Sequence, residues 1–149
     1  MVMDARLMAY LNRALTHEMA AVQQYMAQSK LCGLWGVAEY SDHFRQDVIE
    51  ELGHVESLME ALLKLGVTPH ATQMPAVRLG RSLEEMLAID HVLEVEAVRL
   101  YEEAAAYCTR VRDVVHHALF SKIMHDELHH LDDLEKMMAS RGTKEKCYA

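Results

Sequence analysis

Read against itself at an offset of 76 residues, the chain repeats. Glu18 falls on Glu94, Ala21 on Ala97, Val22 on Val98, Tyr25 on Tyr101, Cys32 on Cys108 and Phe44 on Phe120. Glu51 falls on Glu127, Leu52 on Leu128, His54 on His130, Leu58 on Leu134 and Gly66 on Gly142. That is 11 identities over the 49 positions from 18 to 66, without a gap. Shared composition alone gives roughly three or four. Two similar halves of this length restrict the fold more than any single motif does.

Within each half the apolar residues step by 4 and 3, which is the seam of a packed helix. The first stretch carries Leu11, Leu15, Glu18, Val22 and Tyr25; the second carries Phe44, Val48, Glu51, Val55, Leu58 and Leu62. The third carries Leu87, His91, Glu94, Val98, Tyr101 and Ala105, and the fourth Phe120, Met124, Glu127, Leu131, Leu134 and Met138. With only 6 Gly and 2 Pro, few residues interrupt these patterns. The expected helices cover about 4–31, 35–64, 82–108 and 113–140. Short breaks fall at Cys32-Gly33 and at about 109–113, and one long connection, holding Pro69 and Pro75, spans 66–81. Ser82 and Glu85 have capping-box spacing, and Gly142 is placed to end the fourth helix. The reading is all-α: a four-helix bundle of two αα-hairpins joined by one long crossover, occupying 1–142, with 143–149 as a short polar tail.

Every seam holds one glutamate near its middle, and this needs a chemical reason. Glu18 lies 15 residues before Gly33 and Glu51 lies 18 after it, so folding at the break brings them level. Glu94 and Glu127 stand in the same relation to Thr109. Glu51-Leu52-Gly53-His54 and Glu127-Leu128-His129-His130 are both E-x-x-H, and positions i and i+3 share a helix face. One such match occurs by chance in a chain with 15 Glu and 10 His; here there are two, 76 apart, both on core seams. Burying carboxylates without compensation costs several kcal/mol each, and no Lys or Arg lies on these seams. Two divalent cations supply the compensation. One Glu from each of two helices plus Glu-x-x-His from the other two is the ligand pattern of ferritin-like di-iron and di-manganese carboxylate proteins. The expected metal ligands are therefore Glu18, Glu51, His54, Glu94, Glu127 and His130. Oxygen-rich ligation with one imidazole per metal suits iron or manganese.

Other residues divide between packing and chemistry. Tyr25 lies two turns after Glu18 on the same face, where it can supply an electron or a hydrogen bond; its repeat mate Tyr101 favours packing. His116, His117, His125 and His129 read as solvated surface residues rather than secondary iron contacts. The Met residues read as core filler, Cys32 and Cys108 as small packing groups, and Cys147 as an exposed thiol. Three Cys without a CxxC pair fit a reducing compartment, and the N-terminus lacks the apolar core of a signal peptide. The longest apolar run is five residues, too short to span a membrane. A net charge of −8 disfavours nucleic acid and anionic membranes and favours cations. A soluble cytoplasmic protein is expected.

With these residues in view, the sequence resembles the bacterioferritins. The resemblance runs from about 4 to 140 and includes LTHEMAAVQQY at 15–25, EELGHVESL at 50–58, Glu94 and HDELHHLDDLE at 125–135. It implies a ferroxidase centre holding two iron ions per subunit. Glu18 and His54 would hold one iron, Glu94 and His130 the other, with Glu51 and Glu127 bridging and Tyr25 beside the centre in its redox chemistry. It further implies oxidation of Fe2+ by O2 or peroxide, two-fold dimers, and storage of a ferric mineral in a shell of 24 subunits. Three positions depart from the pattern. Leu52 stands where haem-binding members carry a ligating Met, so haem is not expected from this subunit alone, although a haem-bearing sibling subunit can co-assemble. Gln46 and Glu50 stand where the family has an inner-surface His and Asp, which weakens or removes that extra iron site. Only TKEKCYA follows Gly142, where the family continues into a fifth helix. The competing expectations are a rubrerythrin-like peroxidase that stores nothing, disfavoured by the missing CxxC segment, and a non-haem partner subunit of a mixed shell, disfavoured by the complete ligand set.

Overall fold

The computed structural model describes residues 4–71 and 73–148, with side chains as far as Arg141. It contains α1 (Ala5–Leu34), α2 (Ala38–Lys64), α3 (Leu83–Val111) and α4 (Val114–Tyr148), with no strand among the described residues. The chain forms two compact units, 1–79 and 80–149. In the first, α1 packs on α2; in the second, α3 packs on α4.

Three of the four helix starts have a side-chain cap, and α2, which begins after Val37, has none. Asp4 caps α1 by accepting from the amides of Arg6 and Leu7 at 3.1 and 3.0 Å. Ser82 caps α3: its hydroxyl accepts from the Glu85 amide at 3.1 Å. The Glu85 carboxylate reaches back to the Arg81 amide at 3.0 Å, one residue earlier than a strict capping box prescribes. Asp113 accepts from the amide of His116 at 3.1 Å at the start of α4.

Both hairpin turns have the same form. The Val37 amide bonds back to the Cys32 carbonyl and the Gly36 amide to that of Gly33. In the second unit the Asp113 amide bonds to Cys108 and Arg112 to Thr109. This is the Schellman arrangement, which needs a left-handed residue at its penultimate position. Gly36 supplies it at φ 78° and Arg112 at φ 59°. The first turn therefore lies three residues beyond the expected Cys32-Gly33 break, because Gly36 rather than Gly33 adopts positive φ. The repeat holds through this turn, since 36 and 112 are also 76 apart.

The expected end at Gly142 is not observed: α4 runs on to Tyr148. Its repeat mate Gly66 does end α2, at φ 77°. After Gly66 comes Val-Thr-Pro, and proline cannot continue a helix; after Gly142 comes Thr-Lys-Glu-Lys, which can. The residues expected as a polar tail are thus helical up to Tyr148, and the Cys147 side chain lies outside the described residues.

The seams of α1 and α2 are buried as the periodicity demands, whereas on α3 and α4 Val98, Met124 and Leu131 are only half-buried and two further positions depart from the pattern. All the named seam residues of α1 and α2 are buried. On α3 the seam passes through Asp90, fully buried, and not through His91, whose side chain is a third exposed and pairs with Glu135 on α4 at 3.3 Å. On α4 the seam surfaces at Met138, which is exposed. The connection is fastened to α1 by Gln24, whose side-chain amide donates to the Arg78 carbonyl and accepts from the Arg78 amide at 3.0 Å.

Candidate metal centre

The two seam glutamates of the first unit are level, as the hairpin requires. Glu18 comes from α1, and Glu51 and His54 from adjacent turns of α2. The His54 Nδ1 atom lies 3.3 Å from Glu51 Oε2 and 3.6 Å from Glu18 Oε2. Both carboxylates have no exposure and His54 is 5 % exposed. One potential ligand atom from each of the three lies within 4.8 Å of the others.

The second unit repeats this triad. Glu94 comes from α3, and Glu127 and His130 from α4. His130 Nδ1 lies 3.5 Å from Glu127 Oε2 and 3.9 Å from Glu94 Oε1. These three are also buried, and one potential ligand atom from each lies within 4.8 Å of the others. Each expected ligand is thus grouped with the two partners that its own hairpin provides. Two carboxylates and one imidazole form a hard, anionic donor set, suited to Fe2+ or Mn2+.

Electrostatics within the first triad favour an ionised carboxylate. Burial pushes Glu18 upward, but hydrogen bonds with Glu51 and His54 and the positive charge of His54 outweigh it, and the carboxyl is lowered from 4.5 to about 2. Glu18 therefore presents a negative charge to an incoming cation throughout the physiological range.

Around the triads, Tyr25 is buried and stacks on Phe44, with ring centroids 6.3 Å apart and planes at 10°. Tyr101 packs on Phe120 in the equivalent place, at 6.2 Å and 37°. Both tyrosines thus have packing roles. His116 is occupied by its N-cap, with Nδ1 2.7 Å from Asp113 Oδ2. His117 is half-buried, and His125 and His129 are exposed. Leu52 is 41 % exposed and offers no lone pair.

Sequence reasoning missed two acidic residues near the triads. Asp90 lies one turn before Glu94, fully buried, where the first unit has Ala14. Its signal was present, because 86, 90, 94, 97 and 101 also step by 4 and 3. Asp47, one turn before Glu51 and nearly buried, pairs with His43 at 3.3 Å.

Comparisons with known proteins show the family and the fold. A family model described as "Ferritin-like domain" matches residues 8–141. The bacterioferritin of Rhodobacter capsulatus is 34 % identical over 136 residues, covering 91 % of this chain and 84 % of that protein. That of Mycobacterium avium is 30 % identical over 135 residues, covering 91 % and 85 %. A 2.6 Å structure of the R. capsulatus bacterioferritin, described with a metal-free dinuclear site and haem iron in a crystallographic special position, matches with a TM-score of 0.91 at 33 % identity. The match covers 96 % of this chain and 89 % of that one.

Proposed function

This chain belongs to the ferritin-like domain family, and from that premise we propose that it oxidises Fe2+ and stores the ferric product. The observation that carries the reading is the pair of equivalent buried triads, Glu18-Glu51-His54 and Glu94-Glu127-His130. Together the six residues take two Fe2+ as substrate, with two carboxylates and one imidazole from each triad. The dinuclear site named for the R. capsulatus relative supports a count of two metal ions.

The chain's own contribution is binding and charge. The ionised Glu18 and the buried carboxylates around it draw in Fe2+ and favour Fe3+ over Fe2+, because the higher charge gains more from fixed anions in a dry site. Each Fe2+ gives up one electron: two Fe2+, one O2 and two protons yield two Fe3+ and one H2O2. With peroxide as oxidant, the products are two Fe3+ and two waters. Tyr25 is assigned a redox role beside the centre in addition to its packing, and Tyr25→Phe, which keeps the ring, separates the two roles.

The haem of the R. capsulatus relative does not fit this chain at position 52, because the Leu52 side chain cannot ligate iron. The purified chain is expected to show no Soret band. Self-association into a shell follows from the same family reading and is measured by mass in solution. No helix among the described residues is long and apolar enough to cross a membrane.

The test is aerobic addition of Fe2+ to apoprotein, followed by the near-UV absorbance of ferric species, and then titration past saturation. A fast phase with uptake far beyond two irons per chain supports oxidation and storage. Uptake that stops near two removes storage. Absence of a fast phase removes the ferroxidase. Glu51→Ala should abolish the fast phase and leave the helical content intact.

A further inference from the structure

Tyr101 repeats the circumstances of Tyr25. Each lies seven residues after the first glutamate of its triad: Tyr25 after Glu18 in α1, Tyr101 after Glu94 in α3. Residues seven apart share a helix face, with roughly 10 Å between them at 1.5 Å per residue. Aromatic side chains on a helix lean toward its N-terminus, so each tyrosine leans toward its glutamate. Each ring packs on a phenylalanine seven residues before the second glutamate, Phe44 before Glu51 and Phe120 before Glu127. In the second unit the buried Ala97 and Ile123 occupy the interval between the Tyr101–Phe120 layer and the triad.

Packing accounts for the ring of Tyr101 but not for its hydroxyl. Tyr25, Tyr101, Phe44 and Phe120 are all fully buried, so each layer already accepts an aromatic ring without a polar atom. Taking a phenol out of water is unfavourable unless its hydroxyl is satisfied. A Phe–Phe pair would fill the same space without that obligation, yet both halves carry Tyr.

The other tyrosines of α1 and α3 differ in both respects. Of the six tyrosines in the chain, only 25 and 101 stand 76 apart. Tyr10 and Tyr107 each lie near a guanidinium, with Arg13 6.0 Å from the Tyr10 ring centroid and Arg110 5.8 Å from that of Tyr107. A cation over a ring opposes removal of an electron from it. Tyr25 and Tyr101 pack on neutral phenylalanine rings instead.

The electron count gives a second phenol a task. Two Fe2+ supply two electrons, which take O2 only as far as H2O2; reaching water needs two more. We propose that Tyr101 is an electron donor alongside Tyr25, so that each triad has its own oxidisable phenol. One H2O2 and two tyrosines give two tyrosyl radicals and two waters. The O–O bond breaks, each phenol gives up one electron and the proton of its O–H, and both protons end in water. Two further Fe2+ and two protons then restore the phenols and leave two Fe3+. The proposal rests on the iron-oxidation reading and adds that peroxide is consumed within the protein.

Freeze-quench electron paramagnetic resonance tests the assignment. Apoprotein loaded anaerobically with Fe2+ at two per chain is mixed with O2, and the tyrosyl signal, the released H2O2 and the near-UV ferric absorbance are read from one reaction. The unaltered chain should give a tyrosyl signal and little H2O2. Tyr25→Phe should keep about half of the signal, carried by Tyr101, and Tyr101→Phe about half, carried by Tyr25. The double variant should give no signal and release about one H2O2 per O2 consumed. Tyr107→Phe should match the unaltered chain. Every variant keeps its ring, and equal helical content across the set checks that packing is intact. Two results overturn the role of Tyr101 while the ferric absorbance still rises: a full signal in Tyr101→Phe, or no signal in Tyr25→Phe. Both leave the iron-oxidation reading standing, whereas no ferric rise in the unaltered chain removes the two together.

Discussion

Position 36 and its repeat mate 112 show how one backbone requirement can be met by two very different residues. Both are left-handed, but Gly36 is at ease at φ 78° whereas Arg112 carries a Cβ at φ 59°. A Cβ built on Gly36 meets nothing within 4 Å, so Gly36→Ala isolates the conformational cost from any clash. Gly36→Ala should destabilise the protein by about 1 kcal/mol, and Arg112→Gly should stabilise it by about 0.5–1 kcal/mol, read as opposite shifts of the denaturation midpoint. Glu18 makes a prediction about pH. Its folded pKa of about 2 lies below the ordinary 4.5, so its contribution to stability is complete above pH 4.5 and is lost as pH falls toward 2. In metal-free protein, the stability gap between the unaltered chain and Glu18→Gln should be level from pH 7 to 5 and narrow below 4.5. A gap that widens toward low pH would contradict that direction.

At the scale of the element, side-chain caps mark the starts of α1, α3 and α4, and the identity of the next few residues decides where helices stop. Ser82→Ala removes the acceptor for the Glu85 amide and should cost about 1 kcal/mol in thermal or denaturant unfolding. Glu85→Ala releases only the Arg81 amide at an exposed site, and its effect should be smaller. The same logic explains why Gly66 ends α2 and Gly142 lets α4 pass: a glycine permits a left-handed turn but does not compel one. The periodicity misplaced the seam at Met138, where α4 surfaces, and at His91, where a spacing of three to Glu94 suited the pattern as well as the spacing of four from Asp90. Pairing with Glu135 across the hairpin places His91 at the margin, a fact about α4 that α3 alone does not contain.

For the molecule as a whole, two triads of the same composition imply equal obligations. If all six residues serve one reaction, His54→Ala in the first unit and His130→Ala in the second should each abolish fast Fe2+ oxidation. Stopped-flow absorbance at near-UV wavelengths measures both. Full activity in either variant would show that only one triad takes part. The connection makes a separate prediction: Gln24→Ala leaves the Arg78 backbone groups without their amide partner, which should raise proteolysis in the 66–81 segment.

Sequence alone determined the helical class, the repeat, the seams and the two E-x-x-H pairs, because each rests on local spacing that a helix converts directly into a shared face. It also located Glu18 and Glu94 as anomalous, since an acidic residue on an apolar seam is visible without coordinates. What the sequence could not provide is anything set by distance across a hairpin. The turn at Gly36, the approach of His54 to Glu18 at 3.6 Å, the docking of Arg78 on Gln24 and the burial of Asp90 all depend on which residues from another element arrive at the same depth. Those meetings are fixed by packing, in which residues far apart in the chain fill the same space, and only the tertiary structure records the outcome.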